Sequence, residues 1–135
     1  MVKQMRLLET ASGLFVTLLA VQALQQPASQ SPQGEVKEFL VIAQRYEFIP
    51  DRLEVDQGDH VRIVVRSADG THGFSIRNYG VHEQVPRAGE PVVVEFDASR
   101  SGAFEITCSE YCGRGHSAMR GVLVVRPTTE HGKAH

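Results

Sequence analysis

Between Glu35 and Arg126, apolar and polar residues alternate with the two-residue period of half-buried strands. "EVKEFLVIAQ" is a β-branched and aromatic run. "LEV" leads into the turn "DQGD", and "HVRIVV" sets Val61, Ile63 and Val65 on one face. Further on, "PVVVEFDA" aligns Val92, Val94 and Phe96, "GAFEITC" aligns Phe104, Ile106 and Cys108, and "GVLVV" completes the pattern. No helical period competes with it. Short strands separated by polar turns predict an all-β domain, an antiparallel sandwich or barrel.

The two ends read differently. Lys3 and Arg6 precede the uncharged run "ASGLFVTLLAVQAL" (11–24). This run is shorter than the roughly 20 apolar residues of a spanning helix and has the size of a secretory signal core. Residues 1–24 are therefore expected to be a signal peptide or a single membrane anchor, a short hydrophobic helix that places the remainder on the outer face of the cytoplasmic membrane. "QQPASQSPQGE" reads as a linker over 25–34. The folded domain is expected over 35–127, with a tail over 128–135.

A chain of 135 residues with 41% hydrophobic content holds one domain and a core that needs no disulfide. A net charge of -2 lacks the basic footprint of a nucleic-acid binder. The chemistry gathers instead in "CSEYCGRGHSAM" (108–119), which contains both cysteines of the chain, with His116 and Met119. His72 stands between glycines in "ADGTHGF", read as a second loop at the same end of the sandwich.

This donor set separates the possible chemistries. A disulfide between Cys108 and Cys112 would close a very short loop and leave His116 and Met119 unexplained. No orienting acid or oxyanion loop supports a catalytic Cys–His pair. Structural zinc gains nothing from a thioether, whereas sulfur with imidazole and thioether suits copper. A mononuclear copper site would use Cys112, His116, Met119 and His72 and leave Cys108 over. Two thiolates bridging two copper ions would use both cysteines, with one histidine on each metal.

"C-S-E-Y-C-G-x-G-H-x-x-M" resembles the CuA motif of haem–copper oxidase subunit II, the family of cytochrome c oxidases and their relatives. "YEFIPDRLEVDQGDHVRIVV", "DGTHGFSI" and "GVLVV" extend the likeness over about Lys37 to Arg126, closest to the compact single-anchor branch. The resemblance implies a cupredoxin-like Greek-key β-sandwich. It further implies a dinuclear copper centre with Cys108 and Cys112 as bridging thiolates, His72 and His116 as terminal imidazoles, and Met119 as a weak axial ligand. Glu110 matches the residue whose carbonyl contacts the other copper, and whose side chain in many members holds a divalent ion, such as magnesium, at the border with subunit I. Nitrous oxide reductases carry a similar site but typically place Trp at the Glu110 position.

Three functions follow as expectations. In the first, the domain takes single electrons from an exported cytochrome c or small cupredoxin and passes them to the haem of subunit I, itself non-catalytic. The second is a stand-alone exported carrier, and the third a Cu(I)-handling protein. The chain contains no Trp, where many subunit II chains carry a Trp-containing stretch that receives electrons, and here Tyr46 and Phe48 stand in that region. Arg114 and Arg120 lie beside the ligands, a charge opposite to that of a face built for a basic cytochrome c. Phe74 and Ile76 are expected as a rim over the metal or as core, and His60 and His82 as surface residues. His131 and His135 fall in the tail.

Overall fold

The computed structural model describes residues 34–128, so the expected N-terminal helix, the linker before Gly34, and His131 and His135 lie outside the described residues. Nine strands follow in order: β1 (Val36–Gln44), β2 (Glu47–Ile49), β3 (Arg52–Asp56), β4 (His60–Ser67), β5 (His72–Ile76), β6 (Val81–Val85), β7 (Val92–Asp97), β8 (Gly102–Thr107) and β9 (Arg120–Arg126). Single turns of 3-10 helix cover Arg77–Tyr79 and His116–Ala118. Among the described residues no helix is long and apolar enough to cross a membrane.

The strands form two packed sheets, β2-β1-β4-β7 and β3-β9-β8-β5-β6. The alternation read in β4 holds, with Val61, Ile63 and Val65 fully buried. Leu53, Val55, Leu123 and Val125 face them from the opposite sheet as part of the same core. Burying each such side chain contributes about 1.5–3 kcal/mol, so the core rests on the inward half of each strand. Phe74 and Ile76 are completely buried in this core, and Phe74 meets Phe48 edge-on at a centroid distance of 5.5 Å. Of the two roles open to them, packing is the one they fill.

The expected all-β sandwich is observed, although two of its strand pairings are not antiparallel as the alternation suggested. β1 runs parallel to β4 and β3 parallel to β9. Alternation fixes which face is buried but carries no information about the direction of a neighbour. His72 also departs from its expected place in a loop, since it is the first residue of β5, paired with Val85 of β6. His60 opens β4 with its Nδ1 2.7 Å from Asp97, and His82 lies exposed on β6.

The β1–β2 turn, the β4–β5 loop and the β8–β9 loop meet at one end of the sandwich. Arg45 joins them, its backbone N–H donating to Asp69 Oδ2 at 2.8 Å and its Nε to the Cys112 carbonyl at 2.9 Å.

Candidate metal centre

The segment between β8 and β9 is folded on itself. The Cys108 N–H donates to the Met119 carbonyl at 3.3 Å and closes the loop at its base. Within it, His116 N–H reaches the Gly113 carbonyl at 3.1 Å and Met119 N–H the His116 carbonyl at 3.2 Å. Gly113, at φ 137°, takes a conformation that favours glycine. Tyr46 lies across this stretch: a Cβ on Gly113 would fall 2.4 Å from the Tyr46 hydroxyl, and one on Gly115 would fall 2.4 Å from its ring. The loop thus needs glycine twice, for space under one aromatic ring.

This folding turns soft donors inward. Cys108 and Cys112 are free thiols, 6% and 7% exposed, with sulfurs 3.7 Å apart. That is well beyond a disulfide bond of about 2.05 Å. Their sulfurs and a ring nitrogen of His72 lie within 4.8 Å of one another. Met119, fully buried, brings its sulfur to 4.0 Å from Cys112 Sγ, and the Glu110 carbonyl lies 3.1 Å from Cys108 Sγ. The Gly73 N–H donates to Cys108 Sγ at 3.4 Å. Burial, and secondarily the neighbouring Cys108, pushes the Cys112 thiol up to about 11. A metal bound there must therefore displace a proton.

Among the described residues two imidazole nitrogens in this buried region have no partner, His72 Nδ1 and His116 Nδ1. Such atoms are costly unless something accepts their lone pairs. His72 is oriented from its other side, where Nε2 lies 2.6 Å from Asp69 Oδ1. With the ring proton on Nε2 facing the carboxylate, Nδ1 presents a lone pair toward the sulfurs. His116 stands apart from the trio of closest donors, its ring packed against Tyr111 at 5.9 Å between centroids. Two thiols, a thioether and unpartnered imidazole nitrogens fit a soft metal ion, copper before zinc.

The profile of the cupredoxin-like domain family matches residues 14–125. The chain belongs to that family. Among curated proteins, this cupredoxin-like chain is 34% identical to a "Cytochrome c oxidase subunit 2" of Thermus thermophilus over 64% of its own length and 63% of the relative's. A second protein of that name from a Thermus thermophilus strain is 34% identical over 51% of its length, so the chain spans less than two thirds of either relative. The periplasmic domain of cytochrome oxidase subunit II of Bradyrhizobium japonicum superposes with a TM-score of 0.61 at 20% identity, over 67% of this chain and 84% of that one. A chain of a haem–copper terminal oxidase dimer superposes with a TM-score of 0.60 at 22% identity, over 68% and 65%. At those identities the superpositions speak for the fold alone.

Two members of this cupredoxin-like site escaped the reading of the sequence. Asp69 lies in the "ADGTHGF" loop, where an acid three residues before a candidate ligand histidine is the signal for an orienting group. Burial opposes its ionisation, but the Arg45 N–H, the His72 ring and the Gly70 N–H outweigh it and hold its carboxyl below the usual carboxylate range. Asp69→Asn is expected to weaken metal binding by about 10–100-fold, because an amide orients the ring less firmly and no longer supports the basicity of Nδ1. Competitive titration against a chelator of known affinity measures this, and unchanged affinity would remove Asp69 from the site. The other overlooked member is Arg45, whose side chain reaches the ligand loop from a different sheet.

Proposed function

We propose that this chain holds a dinuclear copper centre and serves as the electron-accepting domain of a haem–copper oxidase. The observation that carries the reading is the pair of free, buried cysteine sulfurs 3.7 Å apart in one site, one sulfur more than a single copper requires. Cys108 and Cys112 would supply both sulfurs, His72 and His116 the imidazoles, and Met119 with the Glu110 carbonyl the weaker contacts. Copper held there would supply a one-electron couple, reduced by an exported cytochrome c or small cupredoxin and reoxidised by the haem of integral membrane subunit I. The similarity to the Thermus thermophilus subunit 2 proteins supports this placement.

The residues do the remaining work. Burial of Cys108, Cys112 and Met119 excludes water from the sulfurs, and the folded loop limits rearrangement between oxidation states. Tyr111, 77% exposed and packed on His116, offers a donor protein an aromatic surface adjoining a ligand. The Glu110 carboxylate is the group a divalent ion such as magnesium would use at a border with subunit I. The domain is placed outside the cytoplasmic membrane, tethered or released. Copper-loaded, partly oxidised full-length chain should show the paramagnetic-resonance hyperfine pattern of one electron shared by two coppers. A single-copper pattern would make the site mononuclear and leave Cys108 without a role.

The absence of Trp favours a second reading, a stand-alone exported carrier with the same centre. Co-purification with a haem-bearing membrane subunit separates the two: its presence supports the oxidase, and a soluble copper-loaded protein without partners supports the carrier.

A further inference from the structure

Arg45 occupies the turn between β1 and β2 and is exposed as a whole, yet its polar groups are committed to the protein. Its backbone N–H donates to Asp69 Oδ2 at 2.8 Å, the carboxylate whose other oxygen orients His72. Its side chain turns toward the ligand loop and donates from Nε to the Cys112 carbonyl at 2.9 Å. The guanidinium lies over Gly70, with Nη2 3.0 Å from the point where a Cβ would stand. One residue from the first sheet thus touches both segments of the second sheet that carry candidate ligands.

The charge is also unpaired: among the described residues no carboxylate lies within 4.0 Å of the Arg45 guanidinium, unlike those of Arg52, Arg62, Arg120 and Arg126. A cation beside a redox centre stabilises the state that carries one more electron.

We propose that Arg45 is a positioning residue of the metal centre: it pins the Cys112 loop to the Asp69–His72 loop and holds its positive charge at the Cys112 carbonyl, raising the reduction potential. The potential part rests on the copper reading above, while the pinning part is a property of the protein without metal. In the one-electron couple the centre gains an electron from the donor and loses one unit of positive charge, and the fixed guanidinium favours that change. Lysine would retain the charge but lacks the planar Nε–H aimed at the Cys112 carbonyl.

Arg45→Met and Arg45→Lys separate the two parts. In the metal-free full chain, both substitutions should speed amide exchange at Cys108 and His116 by about fivefold, the effect of one lost hydrogen bond. In the copper-loaded chain, Arg45→Met should lower the potential by about 59 mV, a tenfold shift of a one-electron couple. Arg45→Lys should recover most of that drop. Exchange equal to wild type in both variants would overturn the pinning role. A potential unmoved in Arg45→Met, with the copper spectrum intact, would overturn the electrostatic one. Failure of the wild-type chain to bind copper would count against the copper reading and, with it, the electrostatic part, and the exchange result would still decide the pinning.

Discussion

Cys112→Ser is expected to abolish the shared-electron copper signal while leaving the β-sandwich folded. The side chain is buried, its sulfur lies 3.7 Å from Cys108 Sγ and 4.0 Å from Met119 Sδ, and its loop is closed by backbone bonds that do not involve it. A serine hydroxyl is a hard, weakly acidic donor that does not replace a thiolate toward copper, and one remaining sulfur cannot bridge two metals as a pair does. The apo-protein should lose no more than about 1–2 kcal/mol, because the change is nearly isosteric and lies in a loop beside rather than within the strands. Copper content, paramagnetic resonance and thermal melting measured on one preparation keep loss of the site distinct from loss of the fold. A copper spectrum identical to that of the wild type would remove Cys112 from the ligand set. Retention of a single-copper spectrum would instead mean that Cys108 with the histidines already forms a complete site.

The inward faces of β3, β4 and β9 could be read directly, because each carries two or more buried residues in alternation. β6 was passed over for the converse reason: in "VHEQV" only Val81 and Val85 face inward, with three exposed residues between them. β2 has three residues, too few for any period to show. The direction of β1 against β4 was not encoded locally at all, since it depends on which loops cross between sheets. The ligand loop was legible because four soft donors within twelve residues are chemically unusual whatever the fold. Asp69 and Arg45 were not, because acids and arginines in polar turns are mostly solvated. Only the convergence of three loops shows that these two act on His72 and Cys112. The glycines around His72 mark a loop in the sequence, whereas Gly73 is required by the close approach of the ligand loop.

Gly73 is expected to be the position where the smallest added group does the most damage. It sits in β5 directly after His72, and a Cβ there would fall 2.2 Å from Ser109 Oγ and 2.5 Å from the backbone nitrogens of both Ser109 and Glu110. Real contacts of that length do not occur, so in Gly73→Ala the strand and the ligand loop must separate. Gly73 also supplies the N–H that reaches Cys108 Sγ, so the separation pulls His72 away from the sulfurs. Overpacking of this kind costs about 1–3 kcal/mol, against a gain of roughly 0.4–1 kcal/mol from stiffening the unfolded chain. The net expectation is a loss of about 1–2 kcal/mol, or about 4–8 °C in Tm for each kcal/mol in a domain of this size. Copper affinity should fall further than stability, because the displacement lies between two candidate ligands. Removing the Ser109 hydroxyl relieves only one of the three contacts, so Gly73→Ala combined with Ser109→Ala should remain defective in both melting and copper titration. Full rescue by that second change would show that a movable side chain, and not the approach of two backbones, is what requires glycine here.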